Sequence, residues 1–77
     1  MSVDHFSEVP AYEQLAAILR DMIKSGEIPP QSPLPSINTL TQRYGVAKGT
    51  AHKALGVVRD EGLAVAVPGR GFFVKRR

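Results

Sequence analysis

Residues 36–62 read SINTLTQRYGVAKGTAHKALGVVRDEG. Gly45 divides the stretch into two runs, each with helical spacing. In the first run Ile37, Leu40 and Tyr44 recur three and four positions apart, behind a Ser36 whose hydroxyl can cap free backbone N–H groups. This predicts a short helix over Ser36–Tyr44. In the second run Ala51, Ala54, Leu55 and Val58 form one apolar stripe, which predicts a helix from Lys48 to Glu61 closed by Gly62. Two helices joined by about three residues that include a glycine make a helix-turn-helix arrangement.

Upstream, Tyr12, Leu15, Ala16, Leu19, Met22 and Ile23 mark the stripe of a longer helix over Ala11–Ser25, opened by Pro10 and ended at Gly26. Between the helices stand Pro29, Pro30, Pro33 and Pro35. That density excludes a helix or a central strand and predicts an ordered connector pinned by Ile28 and Leu34. Residues 1–9 are aperiodic and read as a flexible N-terminal arm. Downstream, Leu63, Val65 and Val67 alternate with Ala64 and Ala66, the pattern of a half-buried strand over Ala64–Val67. Val67-Pro68-Gly69-Arg70 places Pro second and Gly third, as a type II turn requires, and Phe72–Lys75 supplies a returning strand. Lys75-Arg76-Arg77 is a basic tail. The expected fold is mainly α with a small β-hairpin: a winged helix-turn-helix of three helices plus a two-stranded wing, occupying residues 10–77.

The composition agrees with one small domain. A 77-residue chain buries only about 60–65% of its unfolded surface, so each apolar position counts. Net charge is +3 and the pI is about 9.7, a balance that favours an anionic partner, most commonly nucleic acid. There is no cysteine, which rules out disulfides, thiolate zinc sites and a thiol nucleophile, and fits a reducing cytoplasm. The chain shows no signal peptide and no membrane span. His5 and His52 stand far apart, Asp60 and Glu61 are adjacent on a helix end that reads as solvated, and no phosphate loop or metal-ligand spacing occurs. No enzyme activity and no cofactor is expected.

The free face of the third helix carries the functional reading. Lys48, His52, Gly56 and Arg59 form a row that holds no carboxylate, with Lys53 and Gly49 also off the core stripe. Each helical glycine costs about 1 kcal/mol relative to Ala, so Gly49 and Gly56 make sense where another backbone must come close. The plainer account is a solvated face; it leaves unexplained why the acids lie only at the far end. Gly69, Arg70 and Gly71 place a cation between glycines at the wing tip, suited to phosphate or minor-groove contact.

The chain resembles the N-terminal DNA-binding domain of the GntR family of bacterial regulators. The resemblance rests on Pro10-Ala11-Tyr12-Glu13-Gln14-Leu15, Lys24-Ser25-Gly26-Glu27-Ile28-Pro29-Pro30, Leu34-Pro35-Ser36, Tyr44-Gly45-Val46, Ala54-Leu55, Glu61-Gly62-Leu63 and Gly69-Arg70-Gly71-Phe72-Phe73-Val74. It spans about residues 10 to 74, and the Tyr-Glu-Gln start is most similar to the HutC-like branch. The resemblance implies sequence-specific binding of double-stranded DNA at a palindromic operator, usually with repression. It also implies a C-terminal effector domain, which binds a metabolite and dimerises. This chain stops after the wing, so the expectation is a monomer in free solution that pairs at most weakly on DNA, with no small-molecule effector within the chain, since so small a core leaves no room for a pocket.

Three departures bear on the site. Where the family continues Leu-Pro-Ser with Glu-Arg-Glu, this chain has Ile37, Asn38 and Thr39, so the capping-box acid is lost. Lys48 and His52 replace two usual arginines of the recognition helix, and neither reproduces the bidentate fork that reads guanine. The DNA-contact set expected is Ser36, Asn38, Lys48, Gly49, Thr50, His52, Lys53, Gly69, Arg70 and Gly71. Within it Lys48 is the foremost base reader, with Asn38, Thr50 and His52 in support. The alternative is a winged-helix protein-interaction module without DNA binding; Lys48, Lys53, Arg59 and Arg70 argue against it.

Overall fold

The computed structural model describes residues 2–75; Arg76 and Arg77 of the basic tail lie outside the described residues. Three helices, α1 (Ala11–Ser25), α2 (Ile37–Tyr44) and α3 (Lys48–Asp60), precede two antiparallel strands, β1 (Ala64–Val67) and β2 (Gly71–Val74). The helix ends follow local chemistry. Ser36 Oγ accepts from the Thr39 N–H at 3.1 Å, and Gly26 and Gly45 end α1 and α2 in the left-handed region, at φ 85° and 65°. In place of the capping box's second bond, Thr39 Oγ1 lies 2.9 Å from Ser36 Oγ, a contact between the two side chains. At the wing, Arg70 N–H bonds to the Val67 carbonyl at 2.9 Å and Gly69 has φ 76°, as the type II turn requires.

The core joins Leu15, Ala16, Ile18, Leu19 and Ile23 of α1 to Leu40 of α2, Ala51, Ala54, Leu55 and Val58 of α3, and Ala64 and Val74 of the hairpin. Ile18 joins the predicted α1 stripe, while Tyr12 and Met22 stay at its half-buried margin. Small Ala16, Ala51 and Ala54, all buried, suit the extensive α1–α3 packing.

Four sequence expectations change. First, the β1 alternation is not kept: Ala64 is buried against α3, paired with buried Val74, Val65 and Ala66 are exposed, and Val67 is half-buried. Both phases of an Ala-Val repeat are apolar, so the packing against α3 decides which residue is buried. Second, the Pro-rich connector, expected only as ordered, bridges to β2 on the side away from β1. Leu34 N–H bonds to the Phe72 carbonyl (2.8 Å), Val74 N–H to the Ser32 carbonyl (2.9 Å) and Gln31 N–H to the Val74 carbonyl (3.0 Å). Pro33 is tolerated because this is an edge, where no further donor is needed.

Third, the arm read as flexible is docked. Val3 is buried in the core. Gln14 accepts from the Asp4 N–H (2.7 Å) and donates to the Asp4 and Val9 carbonyls (both 2.8 Å), while Asp4 Oδ1 accepts from the Phe6 N–H (2.9 Å). These contacts fold residues 3–9 into a hook.

Fourth, Glu61 is not simply solvated. Arg20 Nε and Nη2 donate to its two carboxylate oxygens at 2.8 and 2.6 Å, tying α1 to the end of α3. The hydrogen bond from Arg20, with the attraction of its charge, holds the Glu61 carboxyl below the ordinary carboxylate range. A depressed carboxylate stabilises the fold above its unfolded pKa and loses that contribution as pH falls through the folded value. The pair is partly solvent-exposed, so Glu61→Gln is expected to cost at most about 1 kcal/mol at neutral pH. The difference from wild type should vanish below the carboxylate range, which thermal unfolding at the two pH values measures.

Candidate nucleic-acid interface

The expected residues stand in unlike surroundings: Ser36, Asn38, Arg70 and Gly71 border one cleft between α2 and the wing, and His52 meets the wing through Phe72. Buried Val46 anchors the turn, so α3 begins at Lys48 immediately beyond a fixed point. Lys48 and Gly49 are exposed on the first turn of α3, and Thr50 is half-buried. With Ala51, Ala54 and Val58 buried, the helical period turns Gly49, Lys53, Gly56 and Asp60 directly away from the core. No atom would come within 4 Å of a Cβ at Gly49, leaving the start of this ridge open to a closely approaching surface.

The row foreseen along Lys48, His52, Gly56 and Arg59 lies on the flank toward the wing. The His52 ring meets Phe72 of β2 edge-on, with centroids 6.2 Å apart. Arg59 Nη2 lies 3.2 Å from Asp60 Oδ1, so its charge is spent within the helix end. Lys53 leans the other way: its ammonium sits 4.1 Å from the ring centroid of Tyr12 on α1, a cation–π contact. Sequence reasoning missed that contact because it depends on how α1 crosses α3. Among the described residues the ion pairs are Arg20–Glu61 and Arg59–Asp60, so Lys48, Lys53 and Arg70 keep their charges unpaired.

Arg70 is exposed at the wing tip between Gly69 and Gly71. Exposed Ser36 and Asn38 lie at the start of α2, and no acid stands in its first turn to offset the positive end of the helix dipole. Between α2 and the wing opens a surface cleft of about 340 Å³, walled by Leu34, Ile37, Leu55 and Phe72, with Asn38 and Arg70 at its edges. The sequence reading allowed this chain no pocket; the cleft forms outside the core, where helix and hairpin diverge. Among the described residues no three His, Cys, Asp or Glu side chains cluster as metal ligands, and no helix is long and apolar enough to cross a membrane.

Comparison with known proteins adds independent findings. The chain is 36% identical over 76 residues to the HTH-type transcriptional repressor NagR of Bacillus subtilis, covering 99% of this chain and 31% of NagR. It is 35% identical over 65 residues to the histidine utilization repressor of Klebsiella aerogenes, covering 84% of this chain and 27% of that protein. The chain thus spans about a third or less of the curated relatives it matches. Among solved structures, YtrA from Sulfolobus acidocaldarius, a GntR-family transcription factor, superposes with TM-score 0.86 at 37% identity, over 97% of this chain and 79% of YtrA. AraR(DBD) in complex with operator ORX1 superposes with TM-score 0.86 at 33% identity, over 96% of this chain and 94% of that one. The model of the bacterial regulatory proteins of the gntR family matches residues 11–74, from the first residue of α1 to the last of β2, and the chain belongs to that family.

Proposed function

We propose that this chain is the DNA-reading part of a cytoplasmic transcription regulator, a repressor. It binds double-stranded DNA with α3 in the major groove and the wing on the backbone or minor groove. The observation that carries this is a pair of open cationic features: a glycine-bared α3 start beside Lys48, and an Arg70 between two glycines with no ion pair among the described residues. The superposition on AraR(DBD) bound to its operator supports the same pose.

In this reading Lys48 meets a base edge, Gly49 admits the groove wall, and Thr50, His52 and Asn38 assist. Ser36, Lys53, Gly69, Arg70 and Gly71 follow the backbone. The edge-on contact with Phe72 sets His52 beside the wing. A twofold operator takes two copies.

The test is titration with duplex DNA over a range of salt. Each phosphate neutralised contributes about −0.9 to the slope of log affinity against log salt. Arg70→Ala is expected to weaken binding to all sequences alike and to flatten the slope by about 1. A wild-type slope near zero would favour a protein-interaction module instead.

A further inference from the structure

Two features stand near opposite ends of α2: one has no part in the DNA reading, and the other shares its polar edge with it. At the C-terminal end sits the hook. A Cβ at Gly45, the α2 cap, would stand 3.9 Å from His5 Nε2, which places the hook beside that cap. The next residue, Phe6, is 99% exposed, and Val9 on the same hook is also exposed. An aromatic ring at the end of a dangling arm would mean little. Here the Phe6 N–H is held by Asp4, Gln14 fastens both sides of the hook, and Val3 anchors its base. The ring is therefore presented to solvent by a built support. The hook also carries Asp4 and Glu8 and no Lys or Arg, in a chain of net charge +3, so its face suits a basic partner.

At the N-terminal end of α2 lies the cleft. Leu34, Ile37, Leu55 and Phe72 form the apolar walls of this half-open cleft of about 340 Å³. An apolar cavity of about 150 Å³ already accepts a benzene-sized molecule. The cation at its edge is Arg70, free of any ion pair among the described residues.

We propose that these two features dock on each other between two copies of this chain. The Phe6 ring of one copy fills the α2–wing cleft of the other, and Glu8 and Asp4 approach Arg70. Ring and cleft are separated by roughly the length of α2, about 12 Å for eight residues. A twofold axis passing beside the middle of α2 sets the two α2 helices antiparallel with each ring toward the other copy's cleft, so both contacts form at once and the pair closes. The area is small, so the pair forms toward millimolar concentration. It covers Asn38 and Arg70; on the DNA reading above, self-pairing and DNA binding then exclude each other.

Sedimentation from micromolar to millimolar concentration, without DNA, tests the pairing. Wild type is expected to pass from monomer to dimer. Phe6→Ala, which removes the ring, and Asn38→Trp, which covers the cleft, should each lower the association constant about tenfold or more. Both positions are exposed, and unchanged circular dichroism and melting would show that both variants fold. A mixture of the two variants keeps one intact ring and one open cleft, so it should associate more than either alone. A wild type that stays monomeric, a Phe6→Ala variant that pairs like wild type, or a mixture no better than its components overturns the proposal. Growth beyond dimers would overturn the closed twofold arrangement. None of these results depends on DNA: failure to bind duplex DNA would remove the DNA reading and leave the pairing result standing.

Discussion

Leu40→Ala is expected to remove about 3–4 kcal/mol of folding stability, within the range for truncating a buried leucine. The loss is large against a total of about 4–11 kcal/mol for a domain of this length. Leu40 has 0% exposure and is the one buried side chain of α2, whose other residues line the surface or its margin. An eight-residue helix does not hold its shape alone in water, so α2 persists because Leu40 seats it on the core. The variant should lower the urea midpoint, and the α2 amides should exchange faster than those of α1. Loss of stability without selective exchange in α2 would mean that the connector and the turn hold the helix.

Lys48→Ala is expected to leave folding unchanged, since Lys48 is exposed and unpaired at the first position of α3. Its effect should fall on base discrimination, with one base pair of the selected site relaxed by about 1–3 kcal/mol. Gly49→Ala gives the complementary result. Gly49 has ordinary helical backbone geometry and open space around it, so an alanine there should raise stability by about 0.5–1 kcal/mol. On the proposed pose the added methyl projects toward the groove wall and should weaken DNA binding. Gain of stability with loss of affinity separates a glycine kept for approach from one that is incidental. Equal losses by Lys48→Ala on selected and random duplexes would make Lys48 a phosphate contact.

The helices and the hairpin were legible because their signals are local. The apolar period fixes α1 and α3, and Gly26, Gly45 and Gly69 stand where the backbone turns left-handed. The sidedness of β1 was not legible, since an Ala-Val-Ala-Val strand offers no polar residue to mark its outer face. The connector's bridge to β2 was hidden by its prolines, which exclude a central strand but permit an edge. The hook depends on Gln14 reaching back ten residues to Asp4, and the Arg20–Glu61 pair spans 41 residues; no spacing rule announces either.

At the site, Lys48, Gly49 and Arg70 stand exposed and unobstructed, as their types and positions suggested. The placements of Lys53, His52 and Arg59 had to wait for their neighbours. Tyr12 draws one toward α1, Phe72 meets the second at the wing, and Asp60 neutralises the third. A helical wheel gives each residue its angle but cannot show which flank a neighbouring element occupies.

The most direct test of the central claim is amide chemical-shift mapping of the chain titrated with a duplex selected from random DNA. The predicted result is a saturable set of shifts centred on Lys48–Lys53 and Gly69–Gly71, with a smaller set at Ser36–Asn38. Shifts confined to the hook and α1, or none at concentrations where the protein is folded, would contradict it.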